Sequence, residues 1–141
     1  MDDLPSEFAV EIGRIVYHAS HADFLLNRLL AVEEDAPEGK GLSGDQLLRR
    51  LKPLAHEFPV LSDVVDGYER MYEWRNRLVH GTHTYSNNTL WTWHVSIRGK
   101  GKSAQSYQLG IENLRTMADG WQNLGTVAHL LLHEAEGSTH Q

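Results

Sequence analysis

The sequence contains no cysteine among its 141 residues. Disulfide bonds and thiolate chemistry are therefore excluded, and cysteine usage gives no information on the redox compartment. No apolar run is long enough to span a membrane, and residues 1–5 lack the basic and apolar segments that open a signal peptide. These absences favour a cytoplasmic location and no membrane partner.

Basic residues are also few, with 13 Lys and Arg against 19 Asp and Glu and a formal net charge of -6. This balance argues against a protein that coats nucleic acid non-specifically, although a local basic cluster can still bind phosphate. The hydrophobic content of 40% and the charged content of 23% are typical of globular proteins. At this length we expect one domain, covering residues 1–141.

Four segments repeat apolar residues with the period of an α-helix. They cover about residues 7–34, 43–55, 60–80 and 111–134, with Ser6 and Ser43 as expected caps of the first two helices. The fold class that this pattern predicts is all-α: a four-helix, mostly antiparallel bundle with a small β-hairpin inserted before the last helix.

The hairpin is predicted at about residues 89–109, where the period changes from helical to alternating. Alternation places Trp91 and Trp93 on one face, and an isolated hairpin is marginal in water, so we expect that face to pack on the helices. Exposed tryptophans would instead suit the stacking of nucleic-acid bases. The predicted tip is basic and is a candidate to hold an RNA backbone, although basic tips also occur for solubility alone; its cations are Arg98, Lys100 and Lys102.

Arg75 is unusual because it lies inside the apolar stripe of the third helix, about 40° from Leu61 on a helical wheel. A charge in such a stripe needs a partner, since an unpaired buried charge is very costly. Asp23 falls within the apolar face of the first helix. We expect a structural ion pair between Asp23 and Arg75; the alternative is a slightly rotated first helix with Asp23 at the stripe edge.

Asn76 and His80 are four residues apart and share an edge of the third helix, which Gly81 is expected to end. Arg75 and His80 are about 140° apart around an ideal helix, so they do not share a face. They can meet if the helix unwinds, or across the two-fold axis of a dimer. The structural alternative is that Arg75 is bound to Asp23 while His80 interacts with the helix dipole.

Residues 75–81, Arg-Asn-Arg-Leu-Val-His-Gly, resemble the Arg-x(4–6)-His signature of the HEPN superfamily, in the variant with a polar Asn after the Arg. The order of elements agrees with this resemblance: a long first helix with an acid in its stripe, the motif at the end of a later helix, and a final helix. The resemblance covers the helices, and the hairpin looks like an elaboration of a subfamily. The resemblance implies that the chain forms a single HEPN-like helical domain.

The resemblance further implies a metal-independent endoribonuclease that works as a homodimer, with the motifs of two protomers lining one cleft. His80 would then transfer a proton to or from the RNA, Arg75 would stabilise the charge on the scissile phosphate, and Asn76 would orient His80 or bind phosphate. The implied products carry 2′,3′-cyclic phosphate and 5′-hydroxyl ends, with no cofactor. Many proteins with this fold are toxins or antiphage effectors, which suggests such a role by association.

A second hypothesis is a non-catalytic HEPN-like helical dimer, acting as an adaptor, an antitoxin or a partner of a phage protein. The net charge of -6 favours this hypothesis, whereas the intact set of Arg75, Asn76 and His80 favours the nuclease. No metal site is expected, because the alternative set of His80, His83 and His94 has no acid nearby at ligand spacing.

Overall fold

The computed structural model describes residues 3–34, 41–98 and 101–139, without the side chains of residues 94–104, 138 and 139. The chain is mostly helical, with a small antiparallel sheet directly before the last helix. In chain order the elements are α1 (Ser6–Glu33), α2 (Gly44–Ala55), α3 (Pro59–His80), β1 (Thr82–Ser86), β2 (Thr89–Arg98), β3 (Gly101–Leu109) and α4 (Ile111–Thr139).

The helix boundaries agree with the sequence signals except at two ends. α1 begins at Ser6 itself and Pro5 occupies the N-cap position, so Ser6 is not the cap that we expected. Ser43 does occupy the N-cap position of α2, although its side chain makes no capping hydrogen bond. α4 continues to Thr139, beyond the predicted end at Glu134.

α1 and α4 pack along each other and run in the same direction. Arg14, in the first half of α1, forms an ion pair with Asp119 of α4 at 2.9 Å. Further along both helices, Arg28 pairs with Glu136 at 2.9 Å. Because the order of these contacts is the same on both helices, α1 and α4 are parallel neighbours.

α3 runs opposite to α4, and two glycines mark the place where the helices approach closely. A Cβ atom on Gly120 would lie 2.9 Å from the sulfur of Met71, and one on Gly67 would lie 3.4 Å from a methyl carbon of Leu124. Met71 lies after Gly67 in α3, whereas its neighbour Gly120 lies before Leu124 in α4. The order of contacts is reversed, so the two helices are antiparallel. α2 packs mainly on α3, and the buried side chains of all four helices form one core together with Leu90 and Leu109 of the sheet.

The sheet has three strands in the order β1-β2-β3, so the expected hairpin at 89–109 was incomplete. β2 and β3 form that hairpin, and β1 adds a strand that the sequence analysis missed. Ser86 pairs with Thr89, which leaves Asn87 and Asn88 as a two-residue turn with φ values of 51° and 59°. Tight hairpin turns of this kind need positive φ at both positions, and asparagine accepts it more readily than most residues.

The expectation that Trp91 and Trp93 pack on the helices was wrong. Thr92 and Leu90 of β2 are buried, at 0% and 1% exposed, while Trp93 is 45% exposed and Trp91 is partly exposed. Since successive residues of a strand point to opposite faces, the tryptophans lie on the outer face of the sheet.

His83 explains why the buried face carries a threonine. Its Nε2 atom lies 2.8 Å from the carbonyl oxygen of Leu78, and its Nδ1 atom lies 3.0 Å from the hydroxyl of Thr92. A carbonyl oxygen only accepts, so Nε2 carries a proton, and in the neutral ring Nδ1 accepts from the hydroxyl of Thr92. His83 thereby provides a hydrogen-bond partner for the buried hydroxyl of Thr92. It also links the end of α3 to the sheet.

Two glycine-to-alanine substitutions should change stability in opposite directions. Gly44 has φ +59°, with the nearest ring carbons of Tyr72 at 3.7 Å from an added Cβ, so Gly44→Ala should cost about 1 kcal/mol through backbone strain alone. Gly13 lies inside α1 with open space around it, so Gly13→Ala should stabilise by about 0.5–1 kcal/mol. Urea denaturation measures both; a neutral Gly44→Ala would contradict the strained geometry.

Candidate active site at the end of α3

The structure brings Arg75 and Asp23 together across the α1–α3 interface. The Nη1 atom of Arg75 donates to Oδ2 of Asp23 at 2.7 Å, and the two side chains are only 13% and 16% exposed. Nη2 of Arg75 donates to the side-chain oxygen of Asn76 at 3.2 Å. These two bonds engage one N–H of Nη1 and one N–H of Nη2.

Tyr68, a buried residue of α3, makes a second hydrogen bond to the carboxylate of this ion pair. Its hydroxyl donates to Oδ1 of Asp23 at 2.5 Å and accepts the backbone N–H of Gly44 at 2.8 Å. The signal was present, because a buried tyrosine hydroxyl usually finds a partner. This chain of bonds connects α1, α3 and the first turn of α2.

Asn27 fixes the segment that leads into α2. Its side-chain amide donates to the carbonyl oxygens of Asp23 and Leu42, at 2.7 and 2.8 Å, and its oxygen accepts the backbone N–H of Leu42 at 2.9 Å. The position of Gly44 against Tyr68 follows from this anchor, so the Asp23–Arg75 pair lies within a structured polar network.

Burial raises the pKa of Asp23, and the Tyr68 hydroxyl and the Arg75 guanidinium oppose that rise. Burial also raises the pKa of Tyr68, together with the negative charge of Asp23 and the hydrogen bond to it. For Tyr72, the hydrogen bond to Asp45 is the main cause that raises the pKa to about 12. All three groups are therefore harder to deprotonate in the folded protein than in the unfolded chain.

The two tyrosines predict loss of stability at alkaline pH. In the unfolded chain they ionise near pH 10, while in the folded protein they keep their protons, so stability falls as the pH rises above 10. Tyr72→Phe should reduce the loss of unfolding free energy per pH unit above pH 10. Tyr17→Phe, at an exposed tyrosine of α1, is the control. The measurement is urea denaturation at several pH values between 8 and 11. An unchanged slope in Tyr72→Phe would contradict the assignment.

His80 is the last residue of α3, and its side chain is exposed. Within the ranges that the structure describes, its ring has no hydrogen-bond or ion-pair partner. The oxygen of Asn76 is bound to Arg75, and no hydrogen bond between described atoms joins Asn76 to His80. The structure therefore does not show Asn76 orienting His80.

Arg75 and His80 do not converge within one chain. α3 is continuous through His80, so five helical residues separate the two by about 7.5 Å along the axis and about 140° around it. The unwinding that would bring them together in one protomer is absent from α3, all of which is described.

Strand β2 passes directly beside the end of α3. A Cβ atom on Gly81 would lie 3.1 Å from the carbonyl oxygen of Trp93 and 3.3 Å from the methyl carbon of Thr92. Thr82 is also the register partner of Trp93. The backbone of Trp93 therefore lies beside Gly81, the residue that follows His80, a placement that the sequence pattern did not predict.

Arg77, the other arginine of the motif, is held between two aromatic rings. Its guanidinium carbon lies 4.8 Å from the ring centre of Trp74 and 4.4 Å from that of Tyr107. Such contacts of a cation with ring faces are attractive, so Arg77 attaches β3 to α3. Its role here is structural.

The proposed RNA-binding residues at the hairpin tip fall at the limit of what the structure describes. Lys100 lies outside the described residues, and Arg98 and Lys102 lie in the paired ends of β2 and β3 with their side chains outside the description. The side chain of His94 is also outside it. Among the described residues no group of three His, Asp or Glu side chains could hold a metal ion, and both ring nitrogens of His83 are already engaged.

A scan of family models, a search of curated proteins and a search of solved structures each found no match to this chain. In the described part of the chain, no helix combines the length and the apolar character needed to cross a membrane.

Proposed function

We propose that the chain is a HEPN-like, metal-independent endoribonuclease that acts as a homodimer in the cytoplasm, with its four helices forming a bundle. The observation that carries the proposal is the exposed His80 ring, without a partner in the described structure, at the end of the helix that holds Arg75. A toxin or antiphage role would suit such an enzyme and rests only on the resemblance to that superfamily.

In the proposed reaction, the ribose 2′-oxygen attacks the adjacent phosphorus, and the bond from phosphorus to the 5′-oxygen breaks. The proton of the 2′-hydroxyl passes to one imidazole, and an imidazolium donates a proton to the leaving 5′-oxygen. The His80 rings of two protomers can share these duties. The products carry a 2′,3′-cyclic phosphate and a 5′-hydroxyl, and water is not consumed.

Arg75 would stabilise the negative charge that develops on the scissile phosphate, since a guanidinium presents a fork of N–H donors suited to phosphate oxygens. Asp23 holds that fork in place. Because Arg75 and His80 point to different sides of α3, the Arg75 of one protomer would act with the His80 of the other. The separation of the two residues thus supports the dimeric form of the site.

A second candidate function is a non-catalytic helical dimer that serves as an adaptor, an antitoxin or a partner of a phage protein. One specific observation favours it: Asp23 already neutralises Arg75, and Asn76 is bound to the same guanidinium. In that case the motif would stabilise packing, and His80 would have no chemical role.

Incubation of the purified protein with RNA in the presence of EDTA tests the proposal. We expect cleavage that does not need metal ions, with product ends identified as 2′,3′-cyclic phosphate and 5′-hydroxyl by mass spectrometry. Light scattering on the same sample should show a dimer. Intact RNA with a dimeric protein would support the second candidate, and a strictly monomeric protein would contradict both.

A further inference from the structure

We propose that the outer face of the β1-β2-β3 sheet, centred on Trp93 and Trp91, is a base-stacking platform for single-stranded RNA. The inference names the substrate class of the proposed nuclease site and rests on that proposed function for the place of cleavage. Binding to the platform is itself measurable without any cleavage.

The outer face combines an exposed indole with small polar residues. Trp93 is 45% exposed, and its partners in the sheet register are Thr82 and Ser106; the partners of Trp91 are Thr84 and Gln108. In an antiparallel sheet, paired residues share a face. Small and uncharged neighbours leave the indole of Trp93 accessible and add hydroxyl and amide groups that can bind ribose and base edges.

The charge of the sheet differs in sign from that of the whole chain. Residues 81–110 contain no Asp or Glu, so all 19 acidic residues lie elsewhere, while three of the 13 basic residues lie within this range. The three are Arg98, Lys100 and Lys102. The rest of the chain holds 10 basic and 19 acidic residues, a formal charge of -9, while residues 81–110 carry +3. The local balance of this stretch is therefore basic and suits a polyanion.

The platform lies beside the candidate catalytic residue. Trp93 pairs with Thr82, two residues after His80, and the Trp93 carbonyl oxygen lies against the Cα of Gly81. A base stacked on Trp93 would therefore lie on the strand that passes the end of α3, where His80 is the last residue. The sheet would thus select the nucleotide that the motif cleaves.

Single-stranded RNA fits this face better than the other possible occupants. An indole ring stacks on an unpaired base, whereas the bases of a duplex are already stacked on each other. A neutral ligand would not account for the absence of Asp and Glu from residues 81–110.

The test uses a fluorescein-labelled single-stranded RNA of about 12 nucleotides, a length within the usual site sizes. The probe carries 2′-O-methyl groups, which remove the attacking hydroxyl and prevent cleavage. Fluorescence anisotropy should show binding to the wild type, about tenfold weaker binding to Trp93→Ala, and recovery of most of the affinity in Trp93→Phe. Phe24→Ala, at an exposed aromatic residue of α1, is the matched control and should bind like the wild type.

Three results would overturn the inference: no binding of the probe, equal affinity for Trp93→Ala and wild type, or a duplex of the same sequence bound as tightly as the single strand. A Trp93→Ala variant that keeps its RNA affinity but loses dimerisation would make the face a protein interface and also overturn it. Binding that depends on Trp93, in a protein that leaves unmodified RNA intact, would support the platform and refute the proposed nuclease. The two proposals therefore fail separately.

Discussion

Alanine in place of His80 is expected to lower the rate of RNA cleavage about a thousandfold, within the range that general acid–base catalysis contributes. The free energy of unfolding should change by less than about 1 kcal/mol, since an exposed histidine at a helix end contributes little more than its interaction with the dipole. The measurements are initial cleavage rates in EDTA and urea denaturation of the same preparations.

The matched control for this substitution is His56→Ala. His56 is also an exposed histidine directly at the end of a helix, in this case α2. His56→Ala should keep the wild-type cleavage rate. Equal rates for wild type and His80→Ala, or an equal loss in both variants, would remove His80 from the proposed mechanism.

The helices and the position of the Arg75–Asp23 pair could be anticipated because both follow from one physical requirement. Helices bury one stripe, and a charge in that stripe needs an opposite charge from the facing helix. Asp23 interrupts the apolar stripe of α1 and Arg75 that of α3. Each charge therefore predicted the other as its partner. The dimer and the chemistry do not follow from this reasoning and stay predictions.

The faces of the sheet could not be anticipated from alternation alone. The pattern around Trp91 and Trp93 shows two faces but does not say which one meets the helices. Hydrophobicity alone predicts that the tryptophan face is the buried one. The buried face instead carries Thr92, whose hydroxyl has a hydrogen-bond partner in His83. That bond depends on β1, a strand whose only strong sequence signal was the Asn87–Asn88 turn.

The consequence for function is substantial. Buried tryptophans would have been ordinary core residues, while outward tryptophans on an acid-free sheet beside His80 are available to a ligand. Likewise, Tyr68 changed from a member of an apolar stripe to the second donor on Asp23. In both cases the role of a side chain depends on a partner from another element of the fold, which the pattern of one segment does not reveal.

Breaking the Asp23–Arg75 pair from one side is expected to destabilise the protein by about 3 kcal/mol, because it leaves a mostly buried charge without its partner. Asp23→Ala and Arg75→Ala should each show this loss in urea denaturation. Arg75→Ala should also abolish most cleavage, but the loss of stability makes that result ambiguous on its own.

The double variant Asp23→Leu with Arg75→Met separates the two roles of Arg75. It replaces both charges with apolar side chains of similar size, which often restores or raises stability. Tyr68 loses its acceptor, so a residual cost of about 1 kcal/mol is expected. If Arg75 stabilises the scissile phosphate, this variant folds with near wild-type stability, remains a dimer and does not cleave RNA. A double variant that folds and cleaves at the wild-type rate would show that Arg75 serves packing alone, and His80 would then need another cation.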